Sequence, residues 1–246
     1  MGVPRFYCPV RLVPGTRFTL PDAAANHAAR VLRLQEGNSI ILFNGEGGEY
    51  SANLATIARA AVTATVMSHH EVERESPVEV TLIQALAAGD KMDWVVQKSV
   101  ELGVTRIQPV TTRRSVLRLD GDRAEKRVAH WQAIAIGACE QSGRNRIPPV
   151  LPICHLDDAL ATGGNTNRIA LAPTAEDTLG SIGTITFTQP LSLLIGPEGG
   201  FSDEEIGAMR LLQCQFVHLG PRVMRTETAG IAALAAIQIL FGDLNR

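Results

Sequence analysis

Metal-binding and disulfide patterns are missing from this sequence. Its four cysteines, at positions 8, 139, 154 and 214, are widely scattered and form no C-x-x-C pair. The six histidines show no H-x-x-x-H spacing. These absences argue against a structural zinc site, a disulfide framework and metal catalysis. We therefore expect no metal, and we expect the cysteines to be buried or half-buried thiols.

The sequence also has no long apolar segment. The longest apolar run, residues 229–241, contains Gln238 and is too short to span a bilayer. Residues 1–10 contain one arginine and no apolar core of the kind that a signal peptide needs. We expect a cytoplasmic protein that does not enter the membrane. Its 246 residues, 45% of them hydrophobic, suit one large domain or two modest ones.

Charge is low overall but unevenly distributed. The net charge is −2, yet residues 1–33 carry five arginines against one acid, and residues 106–146 carry nine basic residues against four acids. Surface charge of this kind is most often only solvated. Two arginine-rich zones on an otherwise acidic chain also fit a polyanionic partner that contacts the protein at two places. Charge alone leaves both interpretations open.

Residues 1–72 have the pattern of a small β-barrel or sandwich. Residues 39–57 are typical of two strands around a glycine-rich turn, and residues 62–70 of a third strand rich in β-branched side chains. A helix is predicted at residues 22–34. The charged segment EVERESP, residues 71–77, ends on proline and is typical of a domain boundary. We predict one domain at 1–72 and a second at 73–246.

The second part of the chain alternates between strands and helices. This alternation predicts an α/β fold with a parallel sheet flanked by helices. The last helix is apolar on every face, which indicates burial in the core or against another subunit, and we favour a subunit interface. Strands are predicted at 78–86, 106–110, 168–173, 191–197 and 216–220, and helices at 90–103, 122–141, 202–213 and 226–244.

Three of the late strands end in loops that contain glycine and proline. They end at Pro173, in the segment GPEGG at residues 196–200, and at Gly220 and Pro221. Ligands of open α/β sheets bind beyond the carboxyl ends of the strands. Proline fixes the shape of a loop, and glycine lets a ligand approach the main chain. The three loops therefore predict one pocket for a planar, hydrogen-bonding ligand such as adenine.

Nucleotide-binding motifs of other folds do not fit these glycines. A Walker loop needs G-K-[ST], but Gly200 is followed by Phe201. A dinucleotide fingerprint needs G-x-G-x-x-G after the first strand of its fold, whereas these glycines come late in the chain. Ser202 with Glu205 fits a capping box, so we expect the acids that follow the loop to be structural.

Two segments, LLIGPEGGFSDEE and LGPRVMRTETA, strongly resemble the RsmE family of ribosomal RNA small-subunit methyltransferases. The resemblance extends through PRFY, ANHAARVLRL, KMDWVVQKSVELGV, ACEQSGRNRIP and the closing FGDL, so it covers essentially the whole chain. It implies a PUA-like N-terminal β-barrel followed by a SPOUT-type α/β domain with a parallel sheet and a C-terminal trefoil knot, at about residues 167–246. It also implies a homodimer.

The same resemblance implies an enzyme that uses S-adenosylmethionine to methylate N3 of a uridine in 16S rRNA. Its partner would be 16S rRNA or the small ribosomal subunit. The three loops would hold the methyl donor. The implied donor-binding residues are Leu171, Ala172, Pro173, Ile195, Gly196, Pro197, Glu198, Gly199, Gly200, Leu219, Gly220, Pro221, Val223, Met224, Arg225, Thr226, Thr228 and Ala229.

Methylation at N3 requires loss of a proton from the uracil ring. A carboxylate base or an arginine that stabilises the uracil anion would promote this loss. The candidates in the loops are Glu198, Glu227 and Arg225. For Glu227 the alternative is compensation of a helix dipole, and for Arg225 it is an ordinary surface charge.

Because N3 lies on the Watson–Crick edge, a paired base must be exposed before it reacts. The arginine-rich zones then become candidates for phosphate contacts. Two other functions remain open: methylation of a ribose 2′-hydroxyl by a related knotted enzyme, and non-catalytic RNA binding during ribosome assembly. The candidate RNA-binding residues are Arg5, Arg30, Arg33, Arg113, Arg114, Arg144 and Arg146.

Overall fold

The computed structural model describes residues 2–58, 61–117, 119–162, 164, 166–182 and 189–245. The chain forms two compact units. The first is Met1–Glu75 together with Cys139–Ile147, and the second is Ser76–Ala138 together with Pro148–Arg246. The sequence pattern indicates a single boundary between two domains. It did not predict that residues 139–147 belong to the first unit.

The first unit is built on a five-stranded sheet in the order β1-β3-β4-β5-β2. The predicted hairpin and third strand are confirmed as an antiparallel run of β3, β4 and β5. Alternate residues of β3 and β5 are buried, as expected when one face of a sheet covers a core. The strands are β1 (Arg5–Tyr7), β2 (Arg17–Thr19), β3 (Ser39–Phe43), β4 (Glu49–Ile57) and β5 (Val62–His70).

The helix predicted at 22–34 is shorter and is not uniform. An α-helix, α1 (Asp22–Asn26), continues as a π-helix at His27–Val31. The Leu32 amide donates to the His27 carbonyl at 2.9 Å, an i→i−5 bond that widens the turn. Arg33 then adopts a left-handed conformation with φ of 52°, which ends the helical segment.

Hydrogen bonds from the buried side chain of Arg5 attach residues 139–147 to strand β1 of the first unit. Arg5 pairs with Glu49 and donates hydrogen bonds to the Gly143 carbonyl at 3.1 Å and to Asn145 Oδ1 at 2.6 Å. Burial alone would raise the pKa of Glu49, but hydrogen bonds from Arg5 and Arg74 hold this pKa below its usual value. These long-range contacts explain why a segment so late in the sequence belongs to the first unit.

The second unit is a seven-stranded parallel sheet in the order β10-β12-β9-β11-β6-β7-β8, which confirms the α/β prediction. Every residue of β11 is buried, as expected for a central parallel strand covered on both faces. The strands are β6 (Val80–Ala85), β7 (Arg106–Thr111), β8 (Cys154–His155), β9 (Asn167–Leu171), β10 (Asp177–Thr178), β11 (Leu191–Ile195) and β12 (Gln215–His218).

Within the described residues, five further α-helices follow α1, and the four long ones match the predicted helices. The short elements α4, β8 and β10 were not predicted, because two to seven residues are too few to show a periodic pattern. The last helix was predicted to reach residue 244, but it ends at Leu240. The helices are α2 (Lys91–Glu101), α3 (Gly121–Ser142), α4 (Leu156–Thr162), α5 (Asp203–Leu211) and α6 (Thr226–Leu240).

The apolar surface of α6 is used mainly inside its own chain. Leu234 and Ile237 are fully buried, and α6 contacts α2, β6 and β11. Thr228 in its first turn is exposed, and its C-terminal end is open, with Ile239 51% and Leu240 46% exposed. The favoured assignment of this helix to a subunit interface is therefore wrong for Leu234 and Ile237, which belong to the core.

Among the described residues, none of the helices combines the length and the apolar character needed to cross a bilayer. In the same part of the chain, no cluster of three or more His, Cys, Asp or Glu side chains is arranged to hold a metal ion.

We expect Leu234→Ala to lower the free energy of unfolding by about 2–5 kcal/mol, because it leaves a cavity in the core. Leu211→Ala is the matched control, since Leu211 is 87% exposed on α5 and should change the stability by less than about 0.5 kcal/mol. Urea unfolding of both variants measures the difference. Equal stability of the two variants would contradict the core position of Leu234.

Candidate functional site

The three predicted loops, each of which contains proline, lie side by side. They follow β9, β11 and β12, which are neighbours in the sheet and run parallel, so their carboxyl ends share one edge. The Ala172 amide in the first loop donates to the Val217 carbonyl of β12 at 2.9 Å. The structure thus confirms the predicted adjacency of the loops. We call residues 171–173, 196–200 and 219–225 the first, second and third loop.

The second loop is shaped by its glycines. A side chain at Gly196 would crowd the ring of Phe201, at 3.3 Å, so the close approach of this ring requires glycine. The Gly200 amide donates to the Pro197 carbonyl at 2.9 Å, and Gly200 has a φ of 68°. The loop is therefore a tight turn whose geometry depends on residues without a Cβ.

The predicted capping box at the start of α5 is confirmed. The Ser202 amide donates to Glu205 Oε2 at 2.7 Å, and the Glu205 amide donates to Ser202 Oγ at 3.2 Å. Glu205 is only 1% exposed, and its Oε1 also accepts the Arg113 amide at 2.8 Å. The Glu205 carboxylate thus accepts backbone amides at the start of α5 and from the loop that follows β7. Because this carboxylate occupies the N-terminal end of α5, that end is not a phosphate site.

A buried threonine connects the second loop to the third. Thr226 Oγ1 donates to the Gly196 carbonyl at 2.6 Å and accepts a hydrogen bond from Gln84 Nε2 at 3.0 Å. Thr226 is 5% exposed, and Gln84 is fully buried. Sequence reasoning included Thr226 among the donor-binding residues but missed Gln84, which β6 contributes from within the sheet.

The two candidate carboxylates converge on a lysine. Lys91 Nζ lies 3.2 Å from Glu198 Oε1 and 3.4 Å from Glu227 Oε2. Lys91 begins α2, the helix that follows the carboxyl end of β6 after residues 86–90, so it lies at the same edge of the sheet as the loops. Sequence reasoning gave Lys91 no role. The available signal was its position at the start of the segment KMDWVVQKSVELGV, on which the family resemblance partly rests.

Arg225 lies at the junction of the third loop and α6. Its backbone is extended, and its carbonyl accepts the amides of Thr228 and Ala229, both at 2.9 Å. Its side chain is exposed. The backbone of Arg225 is thus fixed by the helix start, whereas the residue as a whole is exposed.

All eighteen residues implied in donor binding lie in one region. Ile195 and Pro197 are buried below the second loop, and Glu198 and Gly199 are exposed on it. Val223 is 78% exposed in the third loop. Thr228 and Ala229 lie in the first turn of α6. The structure therefore brings the residues together, and their roles in binding remain proposals.

The candidate RNA-binding arginines fall into two groups. Arg5 and Arg144 have side chains only 10% and 4% exposed and form ion pairs with Glu49 and Glu75. A guanidinium that is buried and neutralised in this way cannot contact a phosphate, so the structure contradicts the prediction for Arg5 and Arg144. The other five lie on the surface: Arg30, Arg33, Arg113, Arg114 and Arg146.

Two of these exposed arginines follow β7 at the edge of the sheet that carries the loops. Arg114 Nη1 donates to the Gly199 carbonyl at 3.1 Å, which joins it to the second loop. Arg113 is exposed beside it. In the first unit, Arg146 is 55% exposed and lies 3.6 Å from Glu73.

The cysteines are unsuited to nucleophilic catalysis. Burial raises the pKa of Cys8, Cys139 and Cys214 to about 12 in each case. Burial also raises the pKa of Cys154. Because the thiolate is the reactive form, these thiols remain protonated and unreactive at neutral pH. The structure agrees with the expectation of buried or half-buried thiols.

Comparison with known proteins identifies related domains over most of the chain. Residues 74–238 match the family described as an RNA methyltransferase domain, and residues 20–67 match the RNA methyltransferase PUA domain. Ribosomal RNA small subunit methyltransferase E of Bacillus subtilis is 32% identical over 92% of this chain and 93% of its own. The corresponding protein of Buchnera aphidicola subsp. Schizaphis graminum is also 32% identical, over 99% of this chain and 98% of its own.

Solved structures show the same relationship. Ribosomal RNA small subunit methyltransferase E from Neisseria gonorrhoeae, bound to S-adenosyl methionine, is 42% identical with a TM-score of 0.93, over 98% of this chain and 99% of its own. A Legionella pneumophila protein in complex with the bound cofactor SAM is 38% identical with a TM-score of 0.94, over 99% of this chain and 100% of its own. The chain therefore belongs to the ribosomal RNA small subunit methyltransferase E family, with an RNA methyltransferase domain and a PUA domain.

Proposed function

We propose that this protein transfers a methyl group from S-adenosylmethionine to N3 of a uridine in 16S rRNA. The observation that carries the proposal is the set of three loops at one edge of the parallel sheet. The chain is also 42% identical to a relative described as bound to S-adenosyl methionine. The substrate is 16S rRNA or the small ribosomal subunit, and the enzyme acts in the cytoplasm.

The loops have the chemistry that the methyl donor needs. Gly200 and Gly220 have φ values of 68° and 93°, and a side chain at either position would meet open space rather than protein atoms. A ligand can therefore approach the main chain closely, where amide and carbonyl groups are available to adenine. The residues proposed to hold the donor are the eighteen that the family resemblance implies, which lie in and beside the three loops; Arg222 and Glu227 are not among them. When bound, S-adenosylmethionine supplies a methyl group already activated on a sulfonium.

The protein's chemical task is then to align the uracil and to favour loss of its N3 proton. Arg225 is proposed to stabilise negative charge on the ring, because its exposed guanidinium follows the third loop. Glu198 and Glu227 are the candidate bases. Both contact Lys91, but a carboxylate has two oxygens and can accept further hydrogen bonds.

Binding of rRNA is proposed to use exposed arginines in both units. Arg30, Arg33 and Arg146 would contact phosphates from the first unit, and Arg113 and Arg114 from the second. The proposed functional division is a PUA-like RNA-binding domain at 1–72 and a methyltransferase domain at 73–246. The matched PUA and methyltransferase regions, 20–67 and 74–238, support this division.

Two further proposals concern architecture. We propose that residues 167–246 carry the trefoil knot of a SPOUT-type fold, as the family resemblance implies. We also propose a homodimer. The exposed apolar side chains of Ile239 and Leu240 at the end of α6 support a subunit contact there.

The proposed reaction predicts that cells without this protein lack one methylated nucleoside in their 16S rRNA. Nucleoside analysis of their 16S rRNA by mass spectrometry should show that 3-methyluridine is absent, and the purified protein with S-adenosylmethionine should restore it. Loss of a 2′-O-methylated nucleoside instead would contradict the proposed target atom. An unchanged nucleoside profile, with no methylation by purified protein, would favour a non-catalytic role in assembly.

We expect Arg225→Ala to lower the single-turnover methylation rate by about a hundredfold or more, the usual effect of removing one electrostatic donor. Affinity for S-adenosylhomocysteine should change little, because the loops offer mainly backbone groups. Higher pH should partly restore the rate, since N3 then loses its proton more readily. Arg225→Lys should rescue poorly, because an ammonium lacks the planar fork of the guanidinium.

The matched control for Arg225 is Arg222→Ala, since Arg222 is an exposed arginine in the same loop. Its rate should stay near that of the wild type. If saturating RNA restores the Arg225→Ala rate at every pH, Arg225 only anchors RNA, and Glu198 and Glu227 become the better catalytic candidates.

Binding of rRNA should weaken steeply as salt increases, and Arg30→Gln combined with Arg33→Asn should reduce that dependence. Asn is chosen at position 33 because it tolerates the left-handed conformation. The slope of log K against log salt should fall by about 1.4 to 1.8 for two lost phosphate contacts. Arg11→Gln with Arg17→Gln is the control for net charge. An equal change in both double variants would argue against specific contacts at Arg30 and Arg33.

A further inference from the structure

Lys91 contacts two parts of the proposed donor site that are far apart in sequence. Glu198 belongs to the second loop, and Glu227 to the first turn of α6, directly after the third loop. The ammonium of Lys91 lies within 3.4 Å of an oxygen of each. A single cation on α2 thus links the polypeptide on both sides of the proposed donor site.

Glu227 depends on this contact more strongly than Glu198 does. The side chain of Glu227 is 15% exposed, compared with 43% for Glu198. Among the described residues, Glu227 Oε2 is buried and has no hydrogen bond, and Lys91 is the cation beside it. Exposed ion pairs contribute little to stability, but a partly buried charge that loses its partner is costly. Removal of Lys91 should therefore disturb the start of α6.

A second connection already joins the same loops inside the protein. The Thr226 hydroxyl holds the Gly196 carbonyl at 2.6 Å in a buried position. Residues 196 and 226 are thus joined directly by a hydrogen bond, and residues 198 and 227 are joined through Lys91. We expect the Thr226 contact to keep the fold together when Lys91 is changed, so the effect of Lys91 on the loops can be measured separately.

We propose that Lys91 is a positioning residue that holds the second and third loops in the arrangement that binds S-adenosylmethionine. It does so by pairing with Glu198 and Glu227 at the same time. This inference rests on the proposed function, and it adds a residue of α2 to the donor site. It also implies that Glu198 and Glu227 are energetically coupled through Lys91.

The first test is Lys91→Met, which keeps an unbranched side chain one atom shorter and removes the charge. Calorimetry should show that S-adenosylhomocysteine binds about tenfold more weakly, within the usual range of coupling between a ligand site and a residue outside it. Lys91→Arg should recover most of the affinity. Lys98→Met is the matched control, because Lys98 pairs with Glu101 at 2.7 Å on the same helix, one helical turn or more beyond Lys91. Its affinity should match the wild type.

Hydrogen exchange in the ligand-free protein tests the same inference without the donor. Lys91→Met should increase exchange in both segments 196–200 and 222–229, while amides of β11 stay protected and report an intact fold. If Lys91→Met fails to fold, Glu198, the more exposed partner of Lys91, is changed instead. Glu198→Gln should still increase hydrogen exchange at residues 222–229. Unchanged exchange in both segments would overturn the role of Lys91.

A double-mutant cycle completes the test. With Lys91 present, the effects of Glu198→Gln and Glu227→Gln on S-adenosylhomocysteine affinity should be non-additive, and with Lys91→Met they should become additive. Additivity in both backgrounds would overturn the coupling. If the wild type binds no S-adenosylhomocysteine, the proposed function fails, and hydrogen exchange still decides whether Lys91 holds the loops. If the wild type binds and Lys91→Met binds equally well, only the inference about Lys91 fails.

Discussion

The hydroxyl of Thr226 is the contact on which the geometry of the site depends. It donates to the Gly196 carbonyl and accepts from Gln84, so it joins the second loop, the start of α6 and strand β6. Hydrogen bonds in such a buried position are costly to break, because the separated groups would remain without water. The end of the third loop is therefore fixed relative to the second loop. The residues around this contact are held in place in the same way.

Along one edge of the parallel sheet, loops that present backbone groups lie beside segments that carry basic side chains. The strands β9, β11 and β12 end in loops that present mainly backbone, and the strands β6 and β7 are followed by Lys91, Arg113 and Arg114. A cationic donor is better accommodated by neutral peptide groups than by a cluster of arginines, whereas a phosphate needs the reverse. Under the proposed function, the order of the strands in one sheet places an RNA-binding surface at Arg113 and Arg114 beside the donor site, to which Lys91 belongs through Glu198 and Glu227.

The parts of the structure that could be predicted from sequence depend on local signals. Ser202 and Glu205 of the capping box lie three positions apart, and the strand ends are marked by their own glycines and prolines. The contacts that were missed are long-range. Lys91 is 107 residues from Glu198, and Arg144 is 69 residues from Glu75. Nothing in a single sequence indicates which of many charges will meet across such distances, so neither Lys91 nor the burial of Arg144 was foreseen.

The burial of Arg5 and Arg144 also changes what the charge pattern means. Both were counted in the arginine-rich zones, yet each neutralises a carboxylate within the first unit. A count of arginines therefore overstates the positive surface available to RNA. Arg225 differs from them because the helix start fixes its backbone while its side chain remains exposed. Under the proposed function, the exposure of the arginines, rather than their number, therefore distinguishes those available to the uracil ring and to RNA.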